Sequence, residues 1–143
     1  ASFDDSIRIF PRFLTTIRGL KEFLIFNYGE GVRRLRTLPK GLFEGNLKKA
    51  WFSRCGLKRL PNRVARCVTL ELLVVPQNHL TELPSLDGLV QLKGIGVEKN
   101  RLRTLPRLAG LPRLRGLNAS DNPDLPAIPP LPPHRWFPSR YLK

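Results

Sequence analysis

The stretch that decides the fold is LELLVVPQNHLTELPSLDGLVQ (residues 70–91), followed directly by LKGIGVEKNRLRTLPRLAGLPR (residues 92–113). The two segments agree position by position in their leucines, in one asparagine and in one Leu-Pro pair. The same spacing extends both ways. A block begins at Leu47, Leu70, Leu92 and Leu114, and eight positions later stand Cys55, Asn78, Asn100 and Asn122. Leu60, Leu83 and Leu105 come thirteen positions into their blocks and Ile128 closes the fourth; each is followed by proline. An irregular earlier copy starts at Leu20 and aligns if about five residues, around 29–34, are inserted before Leu38-Pro39. Self-similarity at this period describes a stack of like units that presents a surface to a partner.

Each block opens as LxxLxL, a period-two alternation that predicts a short strand with leucines inward and the x residues outward. Stacked copies make a parallel sheet along one side. An inward Asn repeated at one position can bond the backbone groups left open by the turn after each strand. The Leu-Pro pair and a second apolar residue (Val64, Leu86, Leu108) turn the chain back across the other side. Proline at each return blocks a long helix, so short helical turns or extended chain are expected there.

The full pattern, LxxLxLxxNxLxxLP, resembles the leucine-rich repeat family over residues 20–130, with short LP-containing blocks. The block at Leu47 departs mildly, with Ala50, Phe52 and Cys55 at the pattern's L, L and N positions. The resemblance implies an α/β solenoid: a short leucine-rich-repeat arc with its parallel β-sheet on the concave face, which is the usual contact surface. The expected layout is an N-terminal cap at 1–19, repeats at 20–130 and an extended tail at 131–143. The cap is expected to hold a helix over residues 11–18, with Pro11 in its first turn and Gly19 at its exit. Arg8, Arg12 and Arg18 among apolar residues loosely resemble an organellar presequence. Asp4 and Asp5 oppose that, so a structured cap is the expectation. In 123–138, seven of sixteen residues are proline, which predicts extended, polyproline-like chain.

The chain has 143 residues, 41% of them hydrophobic, enough for one domain with a core. No apolar run approaches membrane-helix length. The net charge of +14 points to an anionic partner: RNA, DNA, acidic lipid or an acidic protein face. The charge is segregated. Residues 31–68 carry eleven Lys/Arg against the single acid Glu44, whereas 69–100 carry four acids against two lysines. The candidate partner or RNA-binding residues are therefore Arg33, Arg34, Arg36, Lys48, Lys49, Trp51, Arg54, Lys58, Arg59 and Arg63. Trp51 between Lys49 and Arg54 suits base stacking with phosphate contacts, or an aromatic anchor in a protein interface. A solvated basic face and a tryptophan that merely covers the cap are the plain alternatives. In the tail, Arg135, Trp136, Phe137 and Tyr141 are candidate anchors, either on a partner or on the domain itself.

Catalytic chemistry has no carrier in this pattern. Cys55 reads as an Asn substitute and Cys67 as a core residue, with His79 and His134 in unrelated places. The glycines of Gly94-Ile95-Gly96 fall within a repeat strand, not a phosphate loop. No metal site, cofactor or small-molecule substrate is expected. Bacterial effectors with similar blocks carry a separate ubiquitin-ligase domain, for which this length leaves no room, and extracellular family members have cysteine-paired caps, absent here. The expectation is a non-enzymatic structural subunit of a large assembly. A mitochondrial ribosome or another ribonucleoprotein is favoured, met through the basic end and the tail. Other protein subunits, rRNA and an acidic membrane surface are the partners in view. The alternatives are a free-standing protein-binding adaptor or an accessory subunit of an organellar membrane complex, and, for location, cytoplasm or plastid.

Overall fold

A computed structural model describes residues 19–26, 38 and 40–127. Five short strands, β1 (Glu22–Phe26), β2 (Lys49–Ser53), β3 (Leu72–Val74), β4 (Gly94–Gly96) and β5 (Gly116–Asn118), form one sheet in sequence order. All four pairings are parallel. The chain is a parallel-sheet solenoid: each strand is followed by a return that brings the next strand beside it. The register places like block positions side by side, so that Leu24, Trp51, Val74, Gly96 and Asn118 form one row across the sheet.

The alternation expected of LxxLxL is present. Ala50, Phe52, Leu73, Val75, Ile95, Val97, Leu117 and Ala119 face a single core that also takes the opening leucines Leu47, Leu70 and Leu92. Phe23 and Phe52 meet there with ring centroids 5.7 Å apart. The return side closes the core with Leu60, Val64, Leu83, Leu86, Leu89 and Leu111. Among the described residues this side holds no α-helix, only two 3-10 helices, Lys40–Phe43 and Asn62–Arg66. Later returns are turns. The short, proline-bearing returns leave room for no more. The expected cap helix over 11–18, the insertion at 29–34 and residues 128–138 of the proline-rich stretch lie outside the described residues, while its start, 123–127, opens with a turn and holds no helix or strand. Gly19 does adopt a left-handed φ of 85°.

Neighbouring returns pack backbone to backbone. A Cβ on Gly88 would lie 2.5 Å from the carbonyl oxygen of Ala65, so only glycine lets these two turns approach so closely.

What holds the layers in register is the asparagine row. Asn78 is buried; its Oδ1 accepts from the backbone N–H of Cys55 (3.0 Å) and of Leu57 (3.1 Å), both in the preceding block. Its Nδ2 donates to the carbonyls of Phe52, Val75 and Pro76. Asn100 repeats this one layer on, accepting from Leu80 and donating to Val75 and Val97. Asn122 repeats it again with Leu102, Val97 and Ala119. Each amide thus ties the turn of its own block to the turn before it. The residue preceding each ladder position, Arg54, Gln77, Lys99 and Asp121, has a left-handed φ of 54–57°. That conformation reverses the chain at the strand's end at a cost of about 1–2 kcal/mol in a non-glycine residue.

Replacing Asn78 or Asn100 by alanine leaves buried N–H and carbonyl groups unpaired and should destabilise the fold by about 2–4 kcal/mol in urea unfolding. The same change at Asn122, at the end of the described ladder, should cost less.

Candidate anion-docking edge

The register sorts the basic residues into those answered by acids and those that are not. Just before the strands, Glu71 stands between two lysines of adjacent layers. Its carboxylate pairs with Lys93 Nζ at 2.6 Å and Lys48 Nζ at 3.4 Å. Hydrogen bonds from Lys93 and then Lys48 hold the Glu71 carboxyl below the usual glutamate range, against a smaller opposing effect of desolvation. Lys49 pairs with Glu22 across the β1–β2 register at 2.6 Å, and Arg63 pairs with Glu44. Exposed pairs of this kind add little stability. Their effect is on the surface potential: Lys49 and Arg63, both expected to face a partner, each have an acid of their own, while Lys48 shares Glu71 with Lys93.

Lys58, Arg59 and Arg66 are exposed and have no acidic partner among the described residues. The same holds for Lys99, Arg101, Arg103, Arg107 and Arg115. Several of these share one edge of the sheet, on the turns that follow the strands. The N–H of His79 donates to Leu57 O (2.8 Å), that of Arg101 to Leu80 O (2.9 Å) and that of Arg103 to Thr81 O (3.0 Å). Lys58 and Arg59, then His79, then Arg101 and Arg103 therefore occupy successive layers, spaced about 4.8 Å apart by the stacking of strands. Exposed Arg54 and Lys99 join them at the two left-handed positions, whose backbones are fixed by N–H bonds to Pro76 O and Ser120 O. Glu82, Asp121 and Asp124 are the acids exposed in these turns. The arrangement is a cationic edge on a rigid backbone, suited to successive anionic groups.

The sites expected from sequence are distributed as follows. Arg54, Lys58 and Arg59 fall on this edge, while Arg63 lies on the return side in the 3-10 helix Asn62–Arg66. Trp51 is half-buried on the outward sheet face, in the row of Leu24 and Val74, so it belongs to an apolar strip rather than to the cationic edge. Arg33, Arg34, Arg36, Arg135, Trp136, Phe137 and Tyr141 lie outside the described residues. Sequence reading had not singled out Arg101 and Arg103. A signal was present, since Lys58 and Arg103 each stand eleven positions after their block's first leucine.

Neither cysteine is exposed. Burial pushes the Cys55 thiol up to about 12. Burial also raises Cys67, against bonds involving Thr69, Leu47 and Leu70 that pull the other way. The Cys67 thiol donates to Leu47 O at 3.3 Å, tying the return to the start of its own block. Among the described residues no His, Cys, Asp and Glu group has the arrangement of a metal site, and no helix is long and apolar enough to cross a membrane. The chain matches no protein-family model and no curated protein.

Because the thiolate is the reactive form, Cys55 in the folded protein should resist iodoacetamide at pH 8 and become alkylated once urea unfolds the chain. Mass spectrometry of the labelled peptide is the check.

Proposed function

We propose that the chain is a non-enzymatic leucine-rich-repeat subunit of a ribonucleoprotein, with a mitochondrial ribosome as the favoured assembly, and that it docks on RNA phosphates through its cationic edge. The repeat LxxLxLxxNxLxxLP, the buried asparagine row and the parallel strands support placing it with leucine-rich repeats. The single observation that carries the docking is the set of unanswered cations on one edge, Lys58 and Arg59 in the layer of β2 and Lys99, Arg101 and Arg103 in the layer of β4, with His79 in the layer between. Each contact releases counterions and so adds affinity without sequence preference. A solenoid whose neighbouring layers alone touch is rigid enough to hold such a row without a partner.

The second reading is a protein-binding adaptor. What favours it is the apolar strip of Leu24, Trp51 and Val74 on the outward sheet face, since half-buried aromatic residues are frequent anchors in protein interfaces.

The two separate on salt and nuclease. Binding to single-stranded RNA should weaken with salt, and Arg101→Ala with Arg103→Ala should reduce the slope of log K against log salt by about 1.4, from about 0.7 per lost phosphate contact. In cell extract the protein should sediment with a large particle and be released by ribonuclease. An unchanged slope in the double variant, or a small complex indifferent to ribonuclease, would remove the RNA reading and leave the adaptor.

A further inference from the structure

One row of the cationic edge has a hydroxyl at its centre. Lys58, Thr81 and Arg103 stand eleven positions after Leu47, Leu70 and Leu92, the opening leucines of three consecutive blocks. The strand register pairs Lys49 with Leu72 and Leu72 with Gly94, two positions after the same leucines. The asparagine ladder carries that register past the strands: Asn78 accepts from the N–H of Leu57, Asn100 from that of Leu80 and Asn122 from that of Leu102. These three leucines are fully buried, and each immediately precedes one residue of the row. Lys58, Thr81 and Arg103 themselves are exposed, each at a bend of the backbone. The N–H of Arg103 donates to the carbonyl of Thr81 at 3.0 Å. Thr81 is therefore flanked by a cation one layer away on either side.

The chemistry of this row differs from that of a plain basic patch. Neither Lys58 nor Arg103 forms an ion pair among the described residues. Their backbones are two strand spacings apart, about 9.6 Å, with Thr81 midway. A third cation at the centre would repel the other two. A threonine there supplies a hydroxyl that donates to an oxyanion without adding charge. Glu82, the acid nearest in sequence, stands twelve positions into its block and so falls in the row of Arg59. Because the ladder fixes the peptide before each row residue, these backbones are in place before a ligand arrives, and little backbone ordering opposes binding.

We propose that Lys58, Thr81 and Arg103 form a seat for one phosphate group, a backbone phosphodiester of RNA. The Thr81 hydroxyl donates to an unbridged phosphate oxygen, while the two cations close over the group from either side. Arginine contributes a planar fork that matches phosphate oxygens, and lysine a point charge. The inference rests on the RNA reading and deepens it: the edge holds a discrete site with a neutral donor at its centre, beyond a general positive field.

The test separates the hydroxyl from the charge. Thr81→Val keeps the shape of the side chain and removes the donor. Binding of the full chain to oligouridylate should weaken about tenfold, the loss of a hydrogen bond to a charged group, while the slope of log K against log salt stays as in wild type. Thr81→Ser, which keeps the hydroxyl, should bind as wild type does. Thr104→Val, at an exposed threonine outside the row, should change neither quantity. Lys58→Ala and Arg103→Ala should each lower the slope by about 0.7. In a second arm, inorganic phosphate titrated into isotope-labelled chain should shift the Thr81 amide resonance, and Lys58→Ala with Arg103→Ala should abolish the shift. Undiminished affinity in Thr81→Val, or equal losses in the valine and serine variants, overturns the seat and leaves the RNA reading standing. A chain that binds no oligouridylate yet shows the phosphate shift overturns the RNA reading and keeps the seat, with free phosphate as its ligand. A chain that gives neither response overturns both.

Discussion

The buried asparagine amide on which the stack depends solves a problem that parallel strands create for themselves. A strand that ends in a sharp reversal leaves backbone N–H and carbonyl groups pointing inward, away from water and with no neighbouring strand to take them. Asn78, Asn100 and Asn122 each answer groups in two consecutive blocks at once. Because every amide reaches back one layer, none is satisfied by its own block, and no block is complete alone. Each layer therefore depends on its neighbour, although contacts run only between neighbouring elements. The left-handed residue before each asparagine is part of the same device, since its reversal brings the turn within reach of the amide.

The ladder also decides what the surface is. Once the layers are locked at one register, outward residues from blocks 22 or 23 positions apart become immediate neighbours. Glu71 lies between Lys48 and Lys93 for that reason, and Lys49 lies against Glu22. Ion pairing between layers then offsets part of the charge on the side that precedes the strands, while the cations on the turns that follow them form no ion pair among the described residues. Lys58, Arg59, Arg101 and Arg103 are thereby held on an edge of fixed geometry. The sheet face between the two edges is different in character: apolar at Trp51 and Val74, bare at the glycines, with one carboxylate at Glu98.

Much of the architecture was legible from the repeat. Period-two alternation identified the inward residues of every strand, the asparagine positions identified the ladder, and the prolines excluded long helices. The site was less legible. Lys48, Lys49 and Arg63 carry the same charge as Lys58 and Arg59, and nothing local distinguishes them. The difference lies in whether an acid stands one layer away. Arg101 and Arg103 escaped notice because the contrast between 31–68 and 69–100 ends just before them, although the stack sets them on the same edge as Lys58.

Sequence by itself determined the solenoid, its period, its core-facing residues and the excess of positive charge, because these follow from spacing and composition. Only the tertiary structure decided which charges remain uncompensated, that Trp51 joins an apolar strip and that Glu98 is buried beside Gly96. The physical reason is the same in each case. Charge pairing and burial depend on neighbours across layers, and those neighbours exist only after the asparagine row has set the register.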